Sequence, residues 1–128
     1  MEPRLLTRVL VVFVLSVLGG FAVAVPAAAV AGITNCGTVS GAPWAEPGTT
    51  KTGKTYKVTT FKYSCSSAKK LVPGLTAQTI TRKEGQREFA PHPPKGMSCP
   101  ANADNNDHAY SGHCLKGTSF FDWRPVGG

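Results

Sequence analysis

The chain has 128 residues, 14 Lys+Arg against 7 Asp+Glu, a net charge of +7 and four cysteines. That length holds one small domain and excludes enzymes that need a large two-part cleft. The basic balance points to anionic partners such as envelope polymers or lipid headgroups.

Residues 1–31 place Arg4 and Arg8 ahead of an apolar run from Val9 to Leu18, followed by small residues. A basic start, a short apolar stretch and A-x-A sites predict a secretory signal peptide. Cuts after Ala24, Ala29 or Ala31 fit. Ala29 and Ala31 are favoured because Pro26 breaks the apolar helix a few residues upstream. The expected localisation is secreted. The alternative is an N-terminal membrane anchor with the domain outside, since Val9 to Ala31 carries no charge and is long enough to span a bilayer. Removal of residues 1–31 leaves 97 residues with 12 Lys+Arg and 6 Asp+Glu, a net charge of +6, and all four cysteines.

Residues 32–53 are rich in Gly, Pro and Thr, with Trp44 as the one large apolar residue, and predict an irregular arm. Within it GTTKTGKT, Gly48 to Thr55, fits the phosphate-loop pattern G-x-x-x-x-G-K-S/T. Such a loop works because it follows a buried strand and opens a helix, so that backbone N–H groups converge on phosphate. Here it follows Pro-rich coil and leads into a strand pattern, so no nucleotide partner is expected.

The domain expected over residues 54–128 begins with KTYKVTTFKYSC. Tyr56, Val58 and Thr60 alternate with Lys57, Thr59, Phe61 and Tyr63, which predicts a strand. Both faces carry β-branched or aromatic residues, so the period does not choose the buried one. After it, Ser64 as N-cap with Ala68, Leu71, Val72 and Leu75 at helical spacing predicts a helix. Pro73-Gly74 ends it near Val72 or kinks it before Leu75, leaving Lys69 and Lys70 near its C-terminal end, where cations suit the helix dipole. Thr76 to Lys95 reads as loop with one short ordered turn or strand around Gln78 to Arg82. In the last third, Met97-Ser98-Cys99 and His113-Cys114-Leu115 flank a polar turn, and Thr118 to Trp123 forms a further strand after a tight turn at Lys116-Gly117.

Cys36, Cys65, Cys99 and Cys114 in a small exported chain predict two disulfides, for which three pairings exist. The working expectation is Cys36 with Cys65 and Cys99 with Cys114, the second joining adjacent strands. The absence of C-x-x-C and the wide gaps argue against zinc. The fold class is α+β: a small disulfide-stapled domain with one short helix on a mainly antiparallel sheet of three to four strands.

The order of strand, S-C-x-x-A-K helix, long loop, P-x-G-x-x-C, G-x-C and F-x-W resembles a class of small exported two-disulfide proteins of high-GC Gram-positive bacteria. Ser64, Cys65, Ala68 and Lys69 carry it first, then Pro94, Gly96 and Cys99, then Gly112 and Cys114, then Phe121 and Trp123. The resemblance covers about residues 54–124. It implies a fold and a compartment and supplies no catalytic residues.

Several constellations resemble sites. Asn102, Asp104 and Asn106 make a fragment of a calcium loop, without the central Gly and closing Glu of that cage. Asn and Asp are also the usual turn residues because their side chains bond the local backbone. Ser66 and Lys69 fit S-x-x-K, and Lys51-Thr52-Gly53 fits K-T-G, but in reversed order for a β-lactamase. Glu46, Glu84, Glu88, Arg82, Arg87, Arg124 and the histidines supply the groups of a small nuclease without a spacing that sets acid opposite base. Pro94 to Pro100, pinned by Cys99, suits the rigid loop of a proteinase inhibitor, presenting Lys95 or Met97.

Lys51, Lys54, Lys57, Lys62, Lys69 and Lys70 occupy 20 residues that contain no acid, an attractor for anionic polymers or lipid heads; the plainer role is solubility and protection of a strand edge. The expected function is a non-enzymatic exported protein at or outside the cell envelope. Its expected partners are an anionic envelope polymer, a lipid surface or an extracellular protein, with no cofactor or metal and with nucleic acid disfavoured. A proteinase inhibitor is the first alternative and a small secreted nuclease the second. The oligomeric state is left open.

Overall fold

The computed structural model describes residues 32–81 and 87–128. The signal peptide expected over residues 1–31 therefore lies outside the described residues, as do Arg82 and Glu84. The elements are β1 (Ile33–Ala45), β2 (Thr52–Phe61), α1 (Cys65–Thr76), β3 (Ala101–Ala103), β4 (Ala109–Lys116) and β5 (Ser119–Pro125). All strand pairs are antiparallel and the sheet runs β1-β2-β5-β4-β3. The α+β class and the single short helix match expectation, whereas the sheet has five strands in place of three or four.

The additional strand is β1, within the segment expected to be an irregular arm. Its glycines and proline suppress strand propensity, yet they sit where the ladder with β2 is interrupted. One register shift falls between Asn35 and Thr38 and the other between Ser40 and Trp44. The first takes up Cys36 and Gly37, the latter at φ 77, and the second takes up Gly41, Ala42 and Pro43. Bulges on an edge strand are where Gly and Pro are tolerated, so the ladder passes around the breakers. Trp44 pins the far end: its ring lies where a Cβ on Gly53 would come within 2.6 Å.

On β2 the face bearing Tyr56, Val58 and Thr60 is the buried one. Its partners on β5 are Trp123 opposite Val58 and Phe121 opposite Thr60, and Cys114 on β4 lies opposite Phe121. α1 packs on this face against β1, β2 and β4, contributing Ala68, Val72 and Leu75 to the core. The Ser64 side chain accepts the Ser67 N–H at 3.3 Å, the expected N-cap. Pro73 does not stop the helix, which runs on to Thr76. Leu75 and Thr76 are buried there, and burial offsets the hydrogen bond that Pro73 cannot donate.

Both disulfides have the expected pairing. Cys36–Cys65 joins the first β1 bulge to the start of α1, and Cys99–Cys114 joins two paired segments. Ser98 and Leu115 exchange both backbone bonds, N–H to O at 3.1 and 2.8 Å, so the expected pairing of Met97–Cys99 with His113–Leu115 is present and leads into β3. Within the expected loop, Thr79 bridges to His108 and Phe89 to Pro100. A tight hairpin lies where one was expected, but one residue on: Lys116 is still in β4 and pairs with Ser119, so the loop is Gly117-Thr118 in place of Lys116-Gly117, with Gly117 at φ 58 where φ must be positive. Among the described residues no helix is long and apolar enough to cross a membrane. The two disulfides suit an oxidising compartment.

Candidate binding face

Alternation along a strand sends successive side chains to opposite faces. With Tyr56, Val58, Thr60, Phe121, Trp123 and Cys114 facing the core, their neighbours form the uncovered face. Its rows follow from the register. Ile33, Phe61, Phe120 and Leu115 are cross-strand partners over β1, β2, β5 and β4, followed by Asn35, Thr59, Asp122 and His113, then by Thr38, Lys57 and Arg124. The first row is apolar, the second polar, and the third brings two cations together.

In the apolar row, Phe61 and Phe120 stack with centroids 5.5 Å apart, and Ile33 and Leu115 remain 42 % and 39 % exposed. The Lys62 ammonium lies 5.2 Å from the Phe61 ring centroid, within cation–π range. Thr59 donates from its hydroxyl to the Asp122 carboxylate, so the acid of the middle row already has a protein donor.

The six lysines of the acid-free stretch are spread over a turn, β2 and α1. Lys57 is on the uncovered face, Lys54 on the other side of the same strand, Lys51 before β2 in the β1–β2 turn, Lys62 just past the end of β2, and Lys69 and Lys70 on α1. The register places Arg124 beside Lys57, and this cation pair is absent from a window read along the chain. The apolar row was also missed. Only its Leu115–Phe120 half is local, set by a Gly117-Thr118 loop that pairs Lys116 with Ser119; Ile33 and Phe61 join it through the β1–β2 and β2–β5 registers.

Other constellations are placed as follows. Gly48 to Thr55 covers the β1–β2 turn and the first rungs of β2. In that turn Glu46 N–H donates to Lys51 O and Thr49 N–H to Glu46 O, and a strand follows in place of a helix. Asp104 is fully buried, and its carboxylate accepts the N–H groups of Ala45 (2.9 Å), Asn106 (2.8 Å) and His108 (2.9 Å); this is turn chemistry that also clasps the end of β1. Ser66 is exposed and hydrogen-bonds Ser64.

Of the nuclease groups, Arg87, Glu88 and His113 line one groove of about 490 Å³ beyond β3, with Asn102 and Pro100, while Glu46 and Arg124 lie elsewhere. Glu88 is engaged there structurally, accepting the Ala103 N–H with its carboxylate (3.3 Å) and the Ala101 N–H with its carbonyl (3.1 Å). The Pro94–Met97 turn, closed by Met97 N–H to Pro94 O at 3.0 Å, exposes Lys95 and half-buries Met97. Comparison with protein-family models, with curated proteins and with solved structures finds no match.

Proposed function

We propose that this is an exported, non-enzymatic binding protein that works at or outside the cell envelope on an anionic surface. The reading rests on the uncovered sheet face, where an apolar row and the Lys57–Arg124 pair share one surface and the Asp122 carboxylate between them accepts the Thr59 hydroxyl. The net charge of the exported part supports it, since a surplus of cations raises the local concentration of polyanions. The sequence pattern of small exported two-disulfide proteins agrees with the same compartment.

The test is retention of anionic envelope polymers and anionic vesicles by the exported protein, at low and at high salt. Retention at low salt is expected, weakened in Lys57→Glu and Arg124→Glu. No retention of either ligand at any salt overturns the reading.

A second reading, proteinase inhibition, is favoured by the exposed Lys95 turn, which the Ser98–Leu115 pair and the Cys99–Cys114 bridge flank on its C-terminal side. Preorganisation of a loop raises affinity by removing the ordering cost of binding. Stoichiometric inhibition of a trypsin-like protease, lost in Lys95→Ala, would establish it; cleavage of the turn without inhibition would remove it.

A further inference from the structure

We infer that the apolar end of the sheet, Ile33, Phe61, Phe120 and Leu115, docks on an anionic lipid bilayer, which rests on the anionic-surface reading above and names the surface. These four side chains occupy one rung at a single end of the sheet, where β1 begins, β2 ends, β4 ends and β5 begins. Two stacked aromatic rings flanked by two exposed aliphatic side chains form a strip that water solvates poorly.

Cations rim that strip. Lys62 follows Phe61 and lies over its ring, Lys116 follows Leu115, and the Lys95-Gly96 turn approaches Lys116, whose Cε lies 3.9 Å from where a Gly96 Cβ would stand. Lysine stems run along apolar surface while their ammonium groups reach outward, so the strip can enter the headgroup boundary as Lys62, Lys95 and Lys116 meet lipid phosphates. Among the described residues, Glu46, Asp104 and Asp107 lie in turns at the opposite end of the strands and Glu88 lies beyond β3; the carboxylate nearest the strip is Asp122, one rung in, which accepts the Thr59 hydroxyl.

The course of the chain adds a second argument. Gly32, the first described residue, lies against the Phe61 ring, 2.6 Å from a ring carbon if it bore a Cβ. The sequence before it is uncharged from Val9 to Ala31. A chain exported through, or held in, a membrane by that segment presents the strip to the bilayer where it emerges, and a cut after Ala31 puts an α-ammonium at Gly32 on the same rim. A soluble polyanion would be satisfied by the cations alone, whereas the bilayer interface takes apolar side chains and cations together.

The experiment is co-sedimentation of the exported protein with phosphatidylglycerol-containing vesicles, with phosphatidylcholine vesicles, and binding to soluble polyglutamate, at low and high salt. Partition into anionic vesicles is expected to exceed that into zwitterionic ones by about tenfold or more. Ile33→Ser and Leu115→Ser, both at exposed positions, are each expected to lower it by about tenfold, as is the double change Lys62→Glu/Lys116→Glu. Phe89→Ser, at an exposed apolar residue that is not one of the four, is expected to leave it unchanged.

Near-ultraviolet circular dichroism from buried Trp44 and Trp123 checks that each variant is folded. Polyglutamate binding without vesicle binding overturns bilayer docking and spares the anionic-surface reading, and binding to neither overturns both. Vesicle binding that Ile33→Ser, Leu115→Ser and the lysine reversals leave intact removes this docking strip while leaving the broader reading in place.

Discussion

Two buried polar side chains carry much of the local logic. The Asp104 carboxylate gathers N–H groups from its own turn and from Ala45 on β1, residues far apart in sequence. Removing it strands several buried donors, each costing about 1–3 kcal/mol, so Asp104→Ala is expected to lower stability by about 3 kcal/mol or more in urea unfolding. Asp104→Asn, which keeps one acceptor oxygen, should lose less. Tyr56 donates to the Ala42 carbonyl at 2.6 Å, Ala42 N–H donates to the Thr76 hydroxyl, and that hydroxyl donates to the Pro73 carbonyl.

Burial pushes the Tyr56 phenol from its ordinary 10.0 up to about 12, opposed by the Thr76 hydroxyl and reinforced by the Asp104 charge. The unfolded phenol ionises first as pH rises, so the folded state holds the extra proton across that window. The Tyr56 contribution is complete below pH 10.0 and lost as pH climbs to about 12, a fall of about 2–3 kcal/mol. Urea unfolding across this range should show that slope in the wild type and its absence in Tyr56→Phe. Asp104 was recognisable beforehand as a turn residue because Asx bonding is local. Its bond to Ala45 was not, since nothing in either segment marks the other as its partner.

Among the elements, α1 was readable down to its cap and β1 was not. Helical period, serine cap and helix-compatible Ala68 all lie within 12 residues of one another, so local signals suffice. Ser64→Ala leaves the Ser67 N–H without its acceptor and is expected to cost about 1 kcal/mol, seen as a shifted denaturant midpoint at unchanged slope. Of the two outcomes open at Pro73 the structure takes the longer helix, because the burial of Leu75 and Thr76 that carries it past Pro73 is tertiary, and this leaves Lys69 and Lys70 before the last turn and not at the C-terminal end. β1 shows the opposite balance: Gly37, Gly41 and Pro43 argue against a strand, and what makes one is the ladder to β2 with bulges at those residues. The candidate face depends on that ladder for Ile33, Asn35 and Thr38, on the β2–β5 register for Phe61 with Phe120 and Lys57 with Arg124, and on the β4–β5 register for Leu115 and His113.

At the scale of the molecule, two disulfides fasten a small core at both sides. Cys36–Cys65 closes a separation of 29 residues and Cys99–Cys114 one of 15. By loop-closure entropy their removal should cost about 3.5 and about 3 kcal/mol respectively. The paired Cys→Ser variants are therefore expected to melt well below the wild type, with the larger drop for the Cys36–Cys65 pair in calorimetry. The sequence by itself determined the strand of β2, the capped helix, a hairpin at Gly117 and four cysteines that form two disulfides. Each is written in spacing, capping or composition over a few consecutive residues. Tertiary structure alone decided that β1 is a strand, which face of β2 is buried, and that Ile33, Phe61, Phe120 and Leu115 meet on one rung. Those outcomes hang on hydrogen-bond register between distant segments, where a one-residue slip would send every side chain of a strand to the other face.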